Sequence, residues 1–178
     1  VLTHYNQFEL LDVPLPDIQP EEVLVRVEAV GICGSDVHGM DGSTGRRIPP
    51  LIMGHEAAGV IEATGPGVSD WHPGDRVTFD STIYRLDDWF SRKGMYNLSD
   101  NRMVLGVSCP EFKREGAFAG YVAVPQHILY KIPEGVSFVH AAMTEPVAVA
   151  LHALNLTRIS VNDSAVVGGS GMIALFII

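Results

Sequence analysis

The sequence predicts a mainly β chain, a barrel or sandwich of many short strands, with helical and α/β character only toward its end. Three observations predict it. Short stretches rich in β-branched residues recur through the first two-thirds, Pro and Gly separate them at close intervals, and near Ser137 the pattern changes to an Ala-rich run at helical spacing.

Residues 22–28 (EVLVRVE) alternate in part between apolar and polar, as a half-buried strand does; 59–64 (GVIEAT) and 76–79 (RVTF) repeat the pattern. Pro14, Pro16, Pro20, Gly65-Pro66-Gly67 and Pro73-Gly74 supply the turns between them. Residues 138–156 contain no Gly and carry apolar side chains at helical spacing; Pro146 either sits in a first helical turn or divides two helices. Ala165-Val166-Val167 then runs into Gly168-Gly169-Ser170-Gly171, with Ala174 three places beyond. The spacing Gly169-x-Gly171-x-x-Ala174 predicts the first strand and helix start of a Rossmann dinucleotide-binding unit, its glycines admitting a pyrophosphate to the helix N-terminus. Gly168 stands where a strand-end Val would be usual.

Seven residues follow Gly171, whereas such a unit needs roughly 30, with an acidic residue about 20 beyond the glycines for the ribose. The expected organisation is therefore a β domain at 1–143, then a connecting helix and an incomplete cofactor-binding domain at 144–178. Leu175, Phe176 and Ile177 are expected to lie exposed and to promote association.

Apolar residues make up 47% of the 178 and charged residues 19%, enough apolar material for one good core. Twelve Lys and Arg against 21 Asp and Glu give a formal charge of −9, and no basic cluster stands out, so nucleic acid and anionic membranes are poor partners. The apolar run 165–178 contains glycines and is too short for a membrane span. The chain opens in a strand-like stretch without a basic, signal-like segment. Its two cysteines, Cys33 and Cys109, argue against a disulfide framework and suit a reducing cytoplasm.

The densest chemistry lies in Cys33-Gly34-Ser35-Asp36-Val37-His38, followed beyond Pro49-Pro50 by Gly54-His55-Glu56. A thiol, an imidazole and a carboxylate suit zinc, and three protein ligands leave one position open, as a catalytic site requires. Neighbouring side chains on a regular strand point to opposite faces, so His55 and Glu56 share an ion only off a regular strand; Gly54 relaxes the backbone there.

In order along the chain, GICGSDVH (Gly31 to His38), PPLIMGHEAAGVIEATGPGV (Pro49 to Val68), GDRV (Gly74 to Val77), GAFAGYVAVP (Gly116 to Pro125) and EPVAVALHA (Glu145 to Ala153) resemble the zinc-dependent medium-chain dehydrogenases, within them the polyol (sorbitol-type) branch. The likeness runs over almost the whole chain and implies a GroES-like barrel as the catalytic domain. It implies one catalytic zinc on Cys33, His55 and Glu56, with Glu145 contacting the zinc or its water, and a proton path through Ser35 and His38. It implies NAD or NADP at Gly169, Gly171 and Ala174, oxidation of a polyol secondary alcohol to a ketose, and a homotetramer. A small-molecule polyol in an open, polar cleft is the expected substrate, with amino-alcohol oxidation of the threonine type as the second choice. Glu145 also suits a helix start, Ser35 a cap, and His38 an open surface.

Members of this family often hold a second, structural zinc on four cysteines. Here the four places read Arg85, Asp88, Ser91 and Ser99, so no structural zinc is expected. Arg85 and Asp88 are expected to pair, or to belong to an ordinary polar loop, and Trp89 and Phe90 to anchor the lobe by burial. His72 reads as a turn residue, His152 as a packing residue, Cys109 as a loop or buried thiol. His4, His127 and His140 show no partner pattern. Two rivals stand beside the dehydrogenase: a zinc-binding barrel without turnover, and a zinc-free quinone or enoyl reductase relative. A chain without its cofactor half is expected to turn over poorly.

Overall fold

The alternating stretches become one antiparallel sheet in the computed structural model, which describes residues 1–178. In chain order the strands are β1 (Leu2–His4), β2 (Gln7–Phe8), β3 (Glu22–Gly31), β4 (Glu56–Thr64), β5 (Arg76–Phe79), β6 (Thr82–Ile83), β7 (Met103–Val104), β8 (Val107–Ser108), β9 (Lys113–Arg114), β10 (Tyr121–Pro125) and β11 (Leu129–Lys131). Helix α1 (Gly34–Gly39) lies between β3 and β4; α2 (Phe138–Ala142), α3 (Thr144–Leu156) and α4 (Met172–Ile177) follow β11. The central sheet runs β10-β3-β4-β5-β11, and β1–β2, β6–β7 and β8–β9 form small pairs around it.

The period of two along each strand divides the sheet's faces. Val23 and Val25 of β3, Ala57 and Ile61 of β4, Val77 and Phe79 of β5, and Val122 and Val124 of β10 share one core with Leu105, Ala117 and Ile128. Ala58 faces the other way and packs with Ile132 against Ala141 and Ala142 of α2. Leu2, Leu51 and Met53 form a third cluster that ties the N-terminal strands to the loop before β4.

Two register shifts interrupt the β3–β4 ladder, one between Leu24 and Val25 and one between Val27 and Ala29. They cancel, because the first leaves Glu62 of β4 unmatched and the second leaves Glu28 of β3 unmatched. Both carboxylates lie near Arg26, which pairs with each. Such bulges bend and twist a strand pair.

The lobe at 85–100 corrects two expectations. Arg85 pairs with Asp87, not Asp88, through Nε at 3.0 Å and Nη2 at 2.9 Å. Asp88 is occupied by the loop itself: it accepts from Ser91 N at 2.7 Å, from Asp100 N at 3.2 Å and from the hydroxyl of Ser99. Ser99, fully buried, accepts in turn from Arg85 N at 3.1 Å. One carboxylate and one hydroxyl thus join Arg85, Asp88, Ser91 and Ser99. Trp89 does not anchor the lobe; it is 63% exposed, with Phe90 edge-on at 5.1 Å and Lys93 over its ring. Tyr84, packed on the main core, does so instead by stacking on Tyr96 at 4.7 Å.

Ser137 caps α2, its Oγ accepting from His140 N at 3.2 Å. Met143 separates α2 from α3, and Pro146 lies in the first turn of α3, where a missing N–H costs little. The strand expected at 165–167 does not form. Val166 is 97% exposed, since a lone segment has no neighbouring strand to take its backbone hydrogen bonds. The helix start after Gly171 does form, as α4, which packs on α3. Leu175 is exposed as expected, whereas Phe176 and Ile177 are half-buried; Ile178 is exposed too. No helix is long and apolar enough to cross a membrane.

Candidate metal centre

The β3–β4 register assembles the centre. Gly31, the last residue of β3, pairs with Glu56, the first of β4. Cys33, two residues past Gly31, is the N-cap of α1, and His55 immediately precedes β4, so two separated segments meet at one end of the ladder. A Cβ on residue 31 would fall 2.3 Å from Glu56 Oε2, so glycine here leaves the carboxylate its place. Gly54 has φ +92°, the turn that allows His55 and Glu56 to face one spot from adjacent positions.

A sulfur of Cys33, a ring nitrogen of His55 and a carboxylate oxygen of Glu56 lie within 4.8 Å of one another. A tetrahedral ion with bonds of about 2.0–2.3 Å holds its donors about 3.3–3.8 Å apart, so modest side-chain rotation closes the set. His55 Nδ1 is buried without a hydrogen-bond partner and faces Asp36 Oδ1 at 3.6 Å, which leaves Nε2 as the nitrogen free for a metal. Thiol, imidazole and carboxylate are the donor types zinc takes, and the three residues fit it.

Asp36 joins the two segments. Its Oδ2 accepts from Cys33 N at 3.2 Å, and its Oδ1 faces both His55 and Arg47 Nη2, the latter at 3.2 Å. Sequence reasoning passed over both Asp36 and Arg47. The position of Asp36 three residues after Cys33, where an N-terminal capping box places an acid, was the one available signal.

Burial pushes the Cys33 thiol above its ordinary value, with the Glu56 carboxylate adding to the rise and hydrogen bonds from Ser35 opposing it. Burial likewise raises Glu56, aided by the neighbouring Asp36 charge. Both donors therefore hold their protons more firmly than in water, and would give them up on binding a dication.

Glu145 lies in the first turn of α3 and accepts from Ser81 Oγ at 3.1 Å. Burial raises its pKa, with Glu56 and Asp80 adding to the rise while His55 and Ser81 oppose it. Glu145 is thus electrostatically linked to His55 and Glu56 without joining their donor cluster. A carboxyl with a raised folded pKa binds more protons in the folded than in the unfolded chain, so its contribution to stability declines as pH rises. In the metal-free chain, Glu145→Gln is expected to remove part of that decline as pH rises above the ordinary value of 4.5. Thermal melts of both proteins across this range check it: the advantage of the Gln variant should grow with pH, and a constant offset would contradict the linkage.

Ser35 and His38 lie three residues apart on α1, both exposed, with Ser35 beside the Cys33 sulfur. Gly169 has φ +135°, Gly171 is the N-cap of α4, and Ala174 lies 3.6 Å from the position a Gly169 Cβ would take. These three belong to the C-terminal segment on α3, apart from the donor cluster.

The cavity beside α1, about 410 Å³, is lined by Phe8, Val30, Ile32, Val37, Met40 and Phe118, with Asp36 as its charged member. Its wall is apolar, with Phe8 from β2, Val30 from β3, and Ile32, Val37 and Phe118 from within the GICGSDVH and GAFAGYVAVP motifs. His152 is exposed, contrary to expectation. Cys109 is a half-buried free thiol beside Glu111. His127, without a partner pattern in the sequence, bonds Tyr84 O at 3.0 Å, and its burial lowers its pKa.

Comparison with known proteins agrees with this architecture. Residues 19–134 match the alcohol dehydrogenase GroES-like domain. The chain is 36% identical to sorbitol dehydrogenase of Gallus gallus over 165 residues, covering 91% of this chain and 45% of that one. It is 30% identical to D-arabitol-phosphate dehydrogenase of Enterococcus avium, covering 98% and 49%. A Sinorhizobium meliloti 1021 structure, provisionally assigned as a zinc-binding dehydrogenase and solved with NADP, superposes with a TM-score of 0.88 at 34% identity, covering 99% of this chain and 50% of that one. The chain thus spans about half the length of these relatives.

Proposed function

The chain belongs to the family of alcohol dehydrogenase GroES-like domains, and from that premise we propose that it is the metal-holding part of a zinc-dependent, NAD(P)-linked dehydrogenase that oxidises a polyol secondary alcohol to a ketose. The observation that carries this reading is the convergence of Cys33, His55 and Glu56 at one end of the β3–β4 ladder. The sorbitol and arabitol-phosphate dehydrogenases among the relatives support the substrate class.

Cys33, His55 and Glu56 would hold the zinc, with Glu145 poised beside them on its Ser81 hydrogen bond. Zinc bound there would supply a Lewis acid that makes an alcohol hydroxyl acidic and its carbon readier to release hydride to nicotinamide. Thiolate and carboxylate offset the dication, so the centre carries no large net charge. Ser35 takes the hydroxyl proton and passes it toward His38, whose imidazole is exposed to water. The alcohol thereby loses a hydride and a proton, giving ketone, reduced cofactor and one proton in solution. Gly169, Gly171 and Ala174 line the approach to a dinucleotide pyrophosphate at the start of α4.

The hydrogen-bonded lobe around Asp88 and Ser99 supports one zinc per chain, since those side chains are engaged with each other. Domains of 1–143 and 144–178 fit the packing of α2 against the sheet and of α4 against α3. Exposed Leu151, Leu156, Leu175 and Ile178 support a homo-oligomer, a tetramer on the family pattern, and the two free thiols suit a reducing cytoplasm.

A second reading, a barrel that holds zinc without turnover, is favoured by the unpaired 165–167 segment, which leaves no sheet beneath the glycine loop. Zinc stoichiometry measured together with sorbitol-dependent NADH formation tests both. Near one zinc with turnover supports the dehydrogenase, and zinc without turnover supports the inert barrel. Two tightly held zincs would overturn the account of the lobe. Neither metal nor turnover would overturn the metal centre altogether.

A further inference from the structure

Beneath the donor cluster lies a buried charge pair that supplies none of its three donors. Arg47 and Asp36 have side chains only 5% and 3% exposed, and their Nη2–Oδ1 distance is 3.2 Å. Removing two ions from water costs more than an ordinary surface pair returns, so such a pair persists where geometry holds it. Geometry does so here. Arg47 Nη1 donates to Arg46 O at 3.1 Å, and Nη2 also reaches Ser35 Oγ at 3.4 Å. The backbone at Arg47 bridges to Ser108. A Cβ at Gly39 of α1 would lie 2.7 Å from Arg47 Cγ, so the helix leaves a bare patch where the arginine stem crosses. Arg47 Nε is buried and unpartnered, a cost retained although an arginine at the surface would avoid it.

We propose that Arg47 is a positioning residue of the metal centre: its guanidinium holds the Asp36 carboxylate against His55 and Cys33 N, and so sets how tightly Cys33, His55 and Glu56 grip a divalent metal. The proposal rests on the zinc reading above and deepens it. Asp36 faces three groups at once: Cys33 N, which starts the first donor segment; His55 Nδ1, which belongs to the second; and Arg47. A carboxylate behind a ligating imidazole fixes the ring's orientation and strengthens it as a donor. The positive charge of Arg47 cancels that of Asp36, so the carboxylate aligns His55 without adding net negative charge to a centre that thiolate and Glu56 already balance. Without the guanidinium, Asp36 is a lone buried anion free to turn away from the ring. The pair also touches Ser35, so one side chain positions a donor segment and the hydroxyl at the head of the proton path.

Titration of the chain with Co²⁺ against a competing chelator, followed by the thiolate and ligand-field absorption of the ion, provides the test. Arg47→Met is expected to weaken Co²⁺ binding about 10–100-fold, the range typical for loss of an outer partner of a metal ligand. Arg47→Lys should recover part of the loss, because a cation returns without the guanidinium's two-sided geometry. Asp36→Asn should weaken binding, and adding Arg47→Met to it should weaken binding little further, since the arginine acts through the carboxylate. A folded Arg47→Met chain that binds Co²⁺ as tightly as the wild type overturns the proposal. Should Arg47→Met fail to fold, the double variant, which buries no lone charge, decides: wild-type affinity there overturns it, and the affinity of Asp36→Asn supports it. A wild-type chain that takes up no Co²⁺ overturns the zinc reading itself, and this proposal with it.

Discussion

Cys33→Ala is expected to abolish tight zinc retention, raising the dissociation constant by more than the roughly 10–100-fold that loss of an outer partner produces. The thiol is the softest of the three donors and one of the two whose negative charge offsets the dication. Without it one imidazole and one carboxylate remain at the end of the β3–β4 ladder, with Glu145 outside the cluster. The fold has little stake in that sulfur, because Cys33 is half-buried and unbonded to Cys109. The metal-free melting temperature should therefore stay close to the wild type, while the rise that added zinc gives the wild type disappears. That rise follows from mass action, because an ion that binds only the folded chain stabilises it in proportion to the logarithm of its concentration. Zinc content after gel filtration, and melting with and without zinc, measure both parts. One zinc retained by the Ala variant would remove Cys33 from the centre.

Gly54→Ala is expected to give the largest loss of stability, about 2–6 kcal/mol, combining about 1–3 for a left-handed backbone in a residue with a side chain and about 1–3 for overpacking. The backbone there has φ +92°, and a Cβ would lie 2.6 Å from the Phe118 ring and 2.9 Å from Phe118 N. Neither neighbour yields easily. Phe118 N donates to Met53 O at 2.8 Å and Ala117 N donates to Gly54 O at 2.9 Å, so the two loops are stitched together on both sides of the glycine. Because His55 follows directly, relief of the clash moves a donor, and metal affinity should fall along with stability. Urea unfolding of the metal-free variant provides the measurement. A loss below about 1 kcal/mol would mean that the loop carrying Phe118 gives way freely.

Local chemistry was legible where a residue's role depends on its near neighbours. Gly54 announced an irregular backbone, and 76–79 became β5 over the predicted residues. The four lobe positions were also legible as sites without thiols. What that reading missed was choice of partner: Arg85 has two adjacent aspartates, and the engagement of Asp88 by Ser91, Ser99 and Asp100 leaves only Asp87 free for it. The 165–167 stretch failed for a related reason. Its composition is that of a strand, but a strand exists only with a neighbour, and none lies beside it.

By itself the sequence determined the donor types, the unusual turn between the strands, the mainly β class and the lack of cysteine in the lobe at 85–100, because each is written in adjacent residues. Only the tertiary structure decided that Gly31 meets Glu56 through two cancelling bulges, that Asp36 and Arg47 are buried together, and that Ser81 reaches Glu145 across 64 residues. A ladder's register is set by side-chain packing summed over its whole buried face, and a buried ion pair by the surfaces that close over it. No spacing along the chain encodes either quantity.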